Sequence, residues 1–101
     1  MNKKNPFLSI ITPVLNDKDG LTTTIESIRK QKFKDFEYIV IDGGSKDGTL
    51  ELIKENKIID RWISETDKGL WDAINKGIKL SKGKIINTLN AGDEYYSENS
   101  L

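Results

Sequence analysis

A carboxylate followed by two glycines, Asp42-Gly43-Gly44, closes the most apolar stretch of the chain and is the first candidate for chemistry. Residues 38–41 read Tyr-Ile-Val-Ile, which is typical of a buried strand. Ligands of parallel α/β sheets bind at the carboxyl ends of strands, and glycine lets the backbone approach a ligand closely. An ordinary strand-to-helix turn, with Asp47 as the helix N-cap, explains this segment equally well.

The other candidates lie in loops that also follow predicted strands. The four segments at strand ends are 12–17, 42–45, 64–69 and 90–93. They bring acidic side chains towards one edge of the sheet, and clustered like charges cost free energy unless a cation or a hydrogen-bonding ligand relieves them. The pattern therefore favours a ligand site, with a solvated edge made of common turn residues as the alternative.

Alternating strands and helices are needed to bring these loops together. Predicted strands cover residues 7–12, 37–41, 58–64 and 84–89, and predicted helices cover 20–31, 47–56 and 70–78, the last with Asp67 as its N-cap. The order predicts an α/β domain spanning residues 1–101, with a mostly parallel sheet of about four strands and helices on both faces. Right-handed crossovers then place all the loops that follow strands at one edge.

Composition excludes several classes of protein. Basic and acidic residues number 16 each, so the charge excess of a phosphate-neutralising nucleic-acid binder is missing. The chain has no cysteine and no histidine, which rules out disulfides, thiolate metal sites and histidine catalysis within it. The apolar run 7–15 is too short for a membrane span. We expect a cytoplasmic protein, with attachment of a longer parent to the inner face of the membrane left open.

A nucleotide suits the chemistry of this edge. A carboxylate at Asp42 can accept the ring N–H of uracil, thymine or guanine, whereas cytosine and adenine lack that donor. Backbone amides near residues 12–14 would contact the base or ribose. Lys68 and helix N-termini would offer positive charge to a diphosphate, and Asp93 with phosphate oxygens would ligate a divalent cation. The P-loop and G-x-G-x-x-G patterns are both absent.

Four segments together carry a resemblance to a known family. They are I-I-T-P-V-L-N (10–16), Y-I-V-I-D-G-G-S-K-D-G-T (38–49), S-E-T-D-K-G-L-W-D-A-I-N-K-G-I (64–78) and L-N-A-G-D (89–93). Their combination and order resemble family 2 glycosyltransferases with the GT-A fold. The resemblance implies a Rossmann-like donor-binding half. It also implies inverting transfer of a sugar from a nucleotide diphosphate, with a UDP-sugar as the expected donor, to a saccharide or lipid-linked acceptor.

The resemblance also assigns roles to particular residues. The implied nucleotide-binding residues are Thr12, Pro13, Asn16, Asp42, Gly43, Gly44, Ser45, Asp67, Lys68, Gly69 and Asn90. Among them, Asp42 matches the carboxylate that recognises the base, usually uracil. Asp93 matches the carboxylate expected to hold Mg²⁺ or Mn²⁺. The family usually has a second carboxylate in this last motif, but Gly92 replaces it and Asn90 offers only a neutral oxygen, which should weaken metal binding.

The length of the chain departs further from the family. The sequence continues for eight residues after Asp93, whereas family members continue into an acceptor-binding half. That half normally supplies the general base, so we expect the base beyond Leu101, no catalytic residue within this chain and no turnover by the chain alone. The expectation is a truncated domain that carries the donor-binding half.

Two other functions are considered beside the glycosyltransferase, and self-association is also predicted. The short length and the altered metal motif favour a non-catalytic nucleotide-sugar-binding or assembly module as the second hypothesis. A nucleotidyltransferase is disfavoured because residues 14–20 do not form a Gly-rich basic loop. The predicted fourth strand, 84–89, would expose an edge that invites self-pairing, so a homodimer or aggregation is also predicted.

Overall fold

The computed structural model describes residues 5–101. Seven elements alternate along the chain: β1 (Leu8–Val14), α1 (Lys18–Arg29), β2 (Phe36–Asp42), α2 (Thr49–Glu55), β3 (Arg61–Ser64), α3 (Leu70–Leu80) and β4 (Ile85–Thr88). The four strands form one parallel sheet in the order β3-β2-β1-β4. The predicted α/β class and the four-stranded parallel sheet are therefore confirmed. Within the described part of the chain, no helix is long and apolar enough to cross a membrane.

Helices cover both faces of the sheet, as predicted. On one face, Leu21 of α1 and Ile53 of α2 share an apolar core with Val40 of β2. On the other face, Ala73 of α3 shares a second core with Ile39. Neighbouring residues of β2 thus face opposite cores, as the two-residue repeat of a strand requires. Because both sides of β2 are buried, its residues 38–41 form a continuous apolar run.

Gly77 sets the distance between α3 and the sheet. A Cβ built on Gly77 would lie 2.5 Å from Cγ2 of Ile11, closer than two carbon atoms can approach. The helix backbone therefore packs directly on the β1 side chain. A larger residue at position 77 would displace α3, and with it the loop between β3 and α3.

β1 continues two residues beyond its predicted end and passes through Pro13. That proline lies within the register with β2, whereas β4 ends at Thr88, opposite Ile11. The Pro13 carbonyl accepts a hydrogen bond from the Ala91 N–H at 3.4 Å, in the loop that follows β4. Proline has no N–H to donate, and it is tolerated here because β4 has already ended, so no hydrogen bond between β1 and β4 is lost.

The two predicted N-caps are wrong in position. Gly48 and Gly69 occupy the N-cap positions of α2 and α3, and neither helix has a side-chain cap. Asp47 accepts instead from the Thr49 N–H at 3.1 Å, and Asp67 accepts from the Gly69 N–H at 3.1 Å. Both aspartates form Asx turns just before their helices. The error arises because Asx turns and N-caps use the same side-chain-to-backbone hydrogen bond.

A fully paired carboxylate lies at the amino edge of the sheet. Glu37 of β2 is 1% exposed and accepts from the Ser9 hydroxyl at 2.6 Å, from the Lys82 N–H at 2.5 Å and from the Arg61 guanidinium. Burial by itself would raise its pKa, but these hydrogen bonds and the charge of Arg61 hold the pKa of Glu37 below its ordinary 4.5. This edge is occupied by structural contacts.

Candidate functional site

A cleft of about 260 Å³ opens at the opposite, carboxyl edge, beside the ends of β1 and β4. The chain extends the sheet from β1 to β3 on one side and then crosses to β4 on the other. This reversal makes the β1–β4 junction the topological switch point, the place where open α/β sheets bind ligands. Of the residues predicted from sequence, Pro13, Asp67, Gly69 and Asn90 line the cleft.

Asp42 is fully buried at the end of β2. Its Oδ2 accepts from the Ser45 N–H at 3.1 Å and from the Ser64 hydroxyl at 2.7 Å, while Oδ1 accepts from the Ser45 hydroxyl. The carboxylate therefore links the β2–α2 loop to the end of β3. Both of its oxygens are used by the chain, and its predicted contact with the base stays a prediction.

The first two loops are joined by Asn16. Its N–H donates to the Ser45 hydroxyl at 2.8 Å, and its side-chain oxygen accepts from the Lys46 N–H at 2.8 Å. Asn16 has a φ of 48°, a left-handed conformation that asparagine tolerates better than most residues. Asp47 adds a further link by accepting from the Lys18 N–H at 3.2 Å. These contacts hold the two loops in one arrangement.

Three other predicted residues contribute to the shape of the loops. Thr12 is buried, and its hydroxyl accepts from the Tyr38 hydroxyl at 2.8 Å. Gly43 is buried and donates its N–H to the Val14 carbonyl at 2.9 Å. Gly44 turns the chain with a φ of 94°, which favours glycine. Their part in nucleotide binding stays a prediction.

The β3–α3 loop presents polar groups to the cleft. Asp67 uses Oδ1 to accept from Gly69, and its Oδ2 has no hydrogen bond to any residue within 5–101. The N–H of Lys68 donates to Asp72 at 2.9 Å and lowers the pKa of that carboxyl, while the Lys68 side chain is exposed. At Gly69 the space where a Cβ would extend is open. This loop therefore offers a free oxygen and an exposed ammonium group.

The loop after β4 has a fixed backbone and exposed side chains. The Thr24 hydroxyl of α1 donates to the Asp93 carbonyl at 2.6 Å and accepts from the Gly92 N–H at 3.0 Å. The side chains of Asn90 and Asp93 are exposed. Asn90 lines the cleft, and Asp93 lies three residues further along the same loop.

The oxygen atoms of the loop after β4 could ligate a cation only together with other ligands. In the part of the chain that the structure describes, no three potential metal ligands among acidic, histidine or cysteine side chains are gathered together. Mg²⁺ and similar hard cations are commonly held by one or two carboxylates together with substrate phosphates and water. The exposed carboxylate of Asp93 and the amide oxygen of Asn90 fit an ion held mainly by a phosphate ligand.

Among the residues that line the cleft, Asp17, Leu15 and Leu70 were not singled out from the sequence. Asp17 N-caps α1 by accepting from the Gly20 N–H at 3.0 Å, and it also faces the cleft. Leu15 and Leu70 are 57% and 48% exposed and form apolar walls. Their signal was an apolar residue exposed within an otherwise polar loop, which is common for ligand clefts but weak in a sequence.

The fold and the cleft define a class of protein: a Rossmann-like parallel sheet with a cleft at its switch point. Residues 9–101 match the family described as Glycosyl transferase family 2, and the chain belongs to this family. The predicted family is confirmed. The GT-A fold is confirmed as well, because solved GT-A glycosyltransferases superpose on nearly the whole chain.

Relatives and solved neighbours are longer than this chain. A PGL/p-HBAD biosynthesis glycosyltransferase of Mycobacterium bovis is 38% identical over 103 residues, covering 95% of this chain and 39% of the relative. A mannosyltransferase of Pyrobaculum calidifontis, in complex with GDP-Man and Mn²⁺, superposes with a TM-score of 0.84 at 19% identity. The match covers 95% of this chain and 30% of the mannosyltransferase chain. Staphylococcus aureus TarS in complex with UDP superposes with a TM-score of 0.81 at 24% identity, covering 93% of this chain and 29% of the TarS chain. The chain thus spans about two fifths of that curated relative.

Proposed function

We propose that this chain forms the donor-binding half of a glycosyltransferase that moves a sugar from a nucleotide diphosphate, with a UDP-sugar as donor, to a saccharide or lipid-linked acceptor. The observation that carries the proposal is the switch-point cleft, where Asp67 and Asn90 offer polar groups between apolar walls. Neighbours of the same fold were solved with GDP-Man and with UDP, which supports a nucleotide ligand at this edge.

The geometry suggests how the donor lies. The base and ribose would occupy the cleft between Pro13 and Leu70, and the diphosphate would extend towards the N-terminus of α3. That helix has no side-chain cap, so its first-turn N–H groups are available to phosphate oxygens. The exposed ammonium group of Lys68 would add positive charge at the same end.

A divalent cation, Mg²⁺ or Mn²⁺, belongs to this proposal. Asp93 and the amide oxygen of Asn90 would hold it together with the donor phosphates. When bound, such an ion stabilises the negative charge of the departing diphosphate. Deprotonation of the acceptor hydroxyl and inversion at the anomeric carbon require a general base, which we place outside residues 5–101, in the acceptor half.

A nucleotide titration tests this function. UDP should bind the chain, and adding Mn²⁺ should tighten binding about tenfold or more. Asp93→Asn should remove the gain from Mn²⁺ without lowering the melting temperature, because this side chain is exposed and unpaired among the described residues. Glu94→Gln, an exposed acidic neighbour, is the matched control and should keep the gain. Absence of UDP binding, or binding indifferent to both Mn²⁺ and Asp93, would contradict the proposal.

A non-catalytic nucleotide-sugar-binding or assembly module remains the second candidate. It is favoured by the metal loop, where Gly92 leaves Asp93 as the single carboxylate between residues 90 and 93. Sugar transfer by a protein that contains this chain would exclude it. A cytoplasmic location stays a prediction, and so does self-association through β4, whose Ile85 and Ile86 are 51% and 41% exposed.

A further inference from the structure

The carboxylate expected to recognise the base is out of reach of a ligand. Asp42 is 0% exposed, and its two oxygens accept three hydrogen bonds from Ser45 and Ser64. A base could be bound by Asp42 only after those bonds were broken and the β2–α2 loop was moved. Breaking them would leave buried polar groups unpaired, which is costly.

A second carboxylate lies directly beside the next residue. Gly43 has no side chain, and a Cβ built on it would lie 3.0 Å from Oδ2 of Asp67. The Asp67 carboxylate thus occupies the space into which a side chain at position 43 would extend. Gly43 is not among the glycines with positive φ, so this space, rather than backbone conformation, explains why a glycine is needed there.

The Asp67 carboxylate is also oriented by the chain while keeping one oxygen available. Its Oδ1 accepts from the Gly69 N–H at 3.1 Å, and Oδ2 is not hydrogen-bonded within the described residues. Asp67 lines the cleft together with Val14 and Leu70, whose apolar side chains suit the faces of a planar ring. An anchored carboxylate with a free oxygen beside apolar walls is arranged to accept one hydrogen bond from a flat heterocycle.

We propose that Asp67, rather than Asp42, recognises the nucleobase of the donor, and that Gly43 is small so that the Asp67 carboxylate fits. This inference rests on the proposed nucleotide-sugar site and adds which nucleobases that site would bind. An ionised carboxylate only accepts hydrogen bonds, so it selects a base with a ring N–H: N3–H of uracil or N1–H of guanine. Cytosine and adenine present a lone pair at the equivalent ring nitrogen, which cannot donate to the carboxylate. Asp42 then serves to hold the loop that carries Gly43.

The experiment compares bases and variants in one titration series with Mn²⁺ present. The unsubstituted chain should bind UDP about 10- to 100-fold more tightly than CDP, the range expected for a hydrogen bond to a charged acceptor. 3-Methyl-UDP, which lacks the ring donor, should bind as weakly as CDP. A GDP arm shows whether the cleft also admits the larger base with the same donor, and an ADP arm should show binding as weak as that of CDP.

Asp67→Asn is the decisive variant, because it keeps Oδ1 for the Gly69 N–H and replaces only the free oxygen. It should lose about tenfold in UDP affinity, with the UDP:CDP ratio falling towards one and 3-methylation of UDP costing little further. Gly43→Ala should act in the same direction by crowding Oδ2. Asp42→Asn should lower the melting temperature and weaken UDP and CDP equally.

The outcomes separate this inference from the proposed function. If the chain binds none of the nucleotides, the proposed function and the inference both fail. If UDP binds well but Asp67→Asn keeps the full UDP:CDP ratio, or if Asp42→Asn abolishes that ratio in a folded protein, the inference fails and the proposed function stands.

Discussion

Glu37 and Asp42 stand at opposite ends of β2, and both carboxylates are buried. Both are also fully hydrogen-bonded: Glu37 by Ser9, Arg61 and the backbone of Lys82, and Asp42 by two serines. The two edges differ in what surrounds these groups. At the carboxyl edge, Oδ2 of Asp67 in a neighbouring loop accepts no hydrogen bond from any residue within 5–101, and this carboxylate lies beside a cleft. An acidic residue at a strand end therefore indicates a ligand site only when the fold leaves its oxygens free.

The strongest way to test this comparison is to remove Asp42. Asp42→Ala leaves the Ser45 N–H and the Ser64 hydroxyl without their acceptor in a partly buried place. We expect the free energy of unfolding to fall by about 3 kcal/mol, since unpaired polar groups withdrawn from water cost roughly 1–3 kcal/mol each. Urea denaturation at neutral pH measures this loss.

A milder variant calibrates that result. Ser64→Ala removes one of the three hydrogen bonds and should cost about 1 kcal/mol. A purely ligand-binding Asp42 would give a different outcome: Asp42→Ala would unfold at the same urea concentration as the unsubstituted chain and would lose only nucleotide affinity.

At the amino edge, Glu37 should make stability depend on acid. Its pKa is held below the ordinary 4.5, so the group contributes stability above pH 4.5 and loses that contribution as the pH falls through its folded pKa. One such group adds a slope of at most about 1.4 kcal/mol per pH unit in this range. Glu37→Gln should be less stable at pH 7 but should lose less stability on acidification.

Urea midpoints from about pH 7 down to about pH 3, the range in which carboxyls titrate, provide the measurement for Glu37. Other carboxyls titrate in the same range, including Asp47, whose pKa is lowered chiefly by the Thr49 hydroxyl. The difference between Glu37→Gln and the unsubstituted chain isolates the contribution of Glu37. Parallel curves for the two proteins would show that Glu37 keeps its ordinary pKa in the folded state.

The fold was largely predictable from sequence because its signals are local. Apolar runs such as 38–41 and the helical spacing of Leu21, Ile25 and Ile28 depend on neighbours a few residues away. Strand ends were less predictable. The passage of β1 through Pro13 depends on where β4 stops, more than 70 positions later in the chain. Order and class therefore follow from the sequence, whereas boundaries depend on tertiary pairing.

The sequence predicted which loops form the site, but not which of their carboxylate oxygens are left without hydrogen bonds. The motifs indicated Asp42, yet its pairing with Ser64 joins residues 22 positions apart. The space above Gly43 is likewise occupied by Asp67 from another loop. Asp17 lies in the predicted loop 12–17 but was not singled out as a site residue, because a helix N-cap gives no sequence sign that it also faces a cleft. Which oxygens remain unpaired is decided only when distant loops meet.

The smallest expected effect concerns the loop after β4, where the family's usual second carboxylate is missing. Gly92 has a φ of 98°, so Gly92→Asp would place a side chain in the left-handed region and strain the backbone. Asn90 has no such constraint, and its side chain is exposed beside the cleft. Asn90→Asp should therefore raise the affinity for Mn²⁺ in the presence of UDP by about three- to tenfold, because a charged oxygen replaces a neutral one.

Asn90→Asp and Gly92→Asp should differ both in their affinity for Mn²⁺ and in their melting temperature. Asn90→Asp should leave the melting temperature nearly unchanged, since the Thr24 contacts that hold this loop involve its backbone. Gly92→Asp should lower the melting temperature and gain little metal affinity, because strain moves the loop away from Thr24. If Gly92→Asp bound Mn²⁺ more tightly than Asn90→Asp, the cation would lie nearer to residue 92, and the part assigned to Asn90 would be wrong.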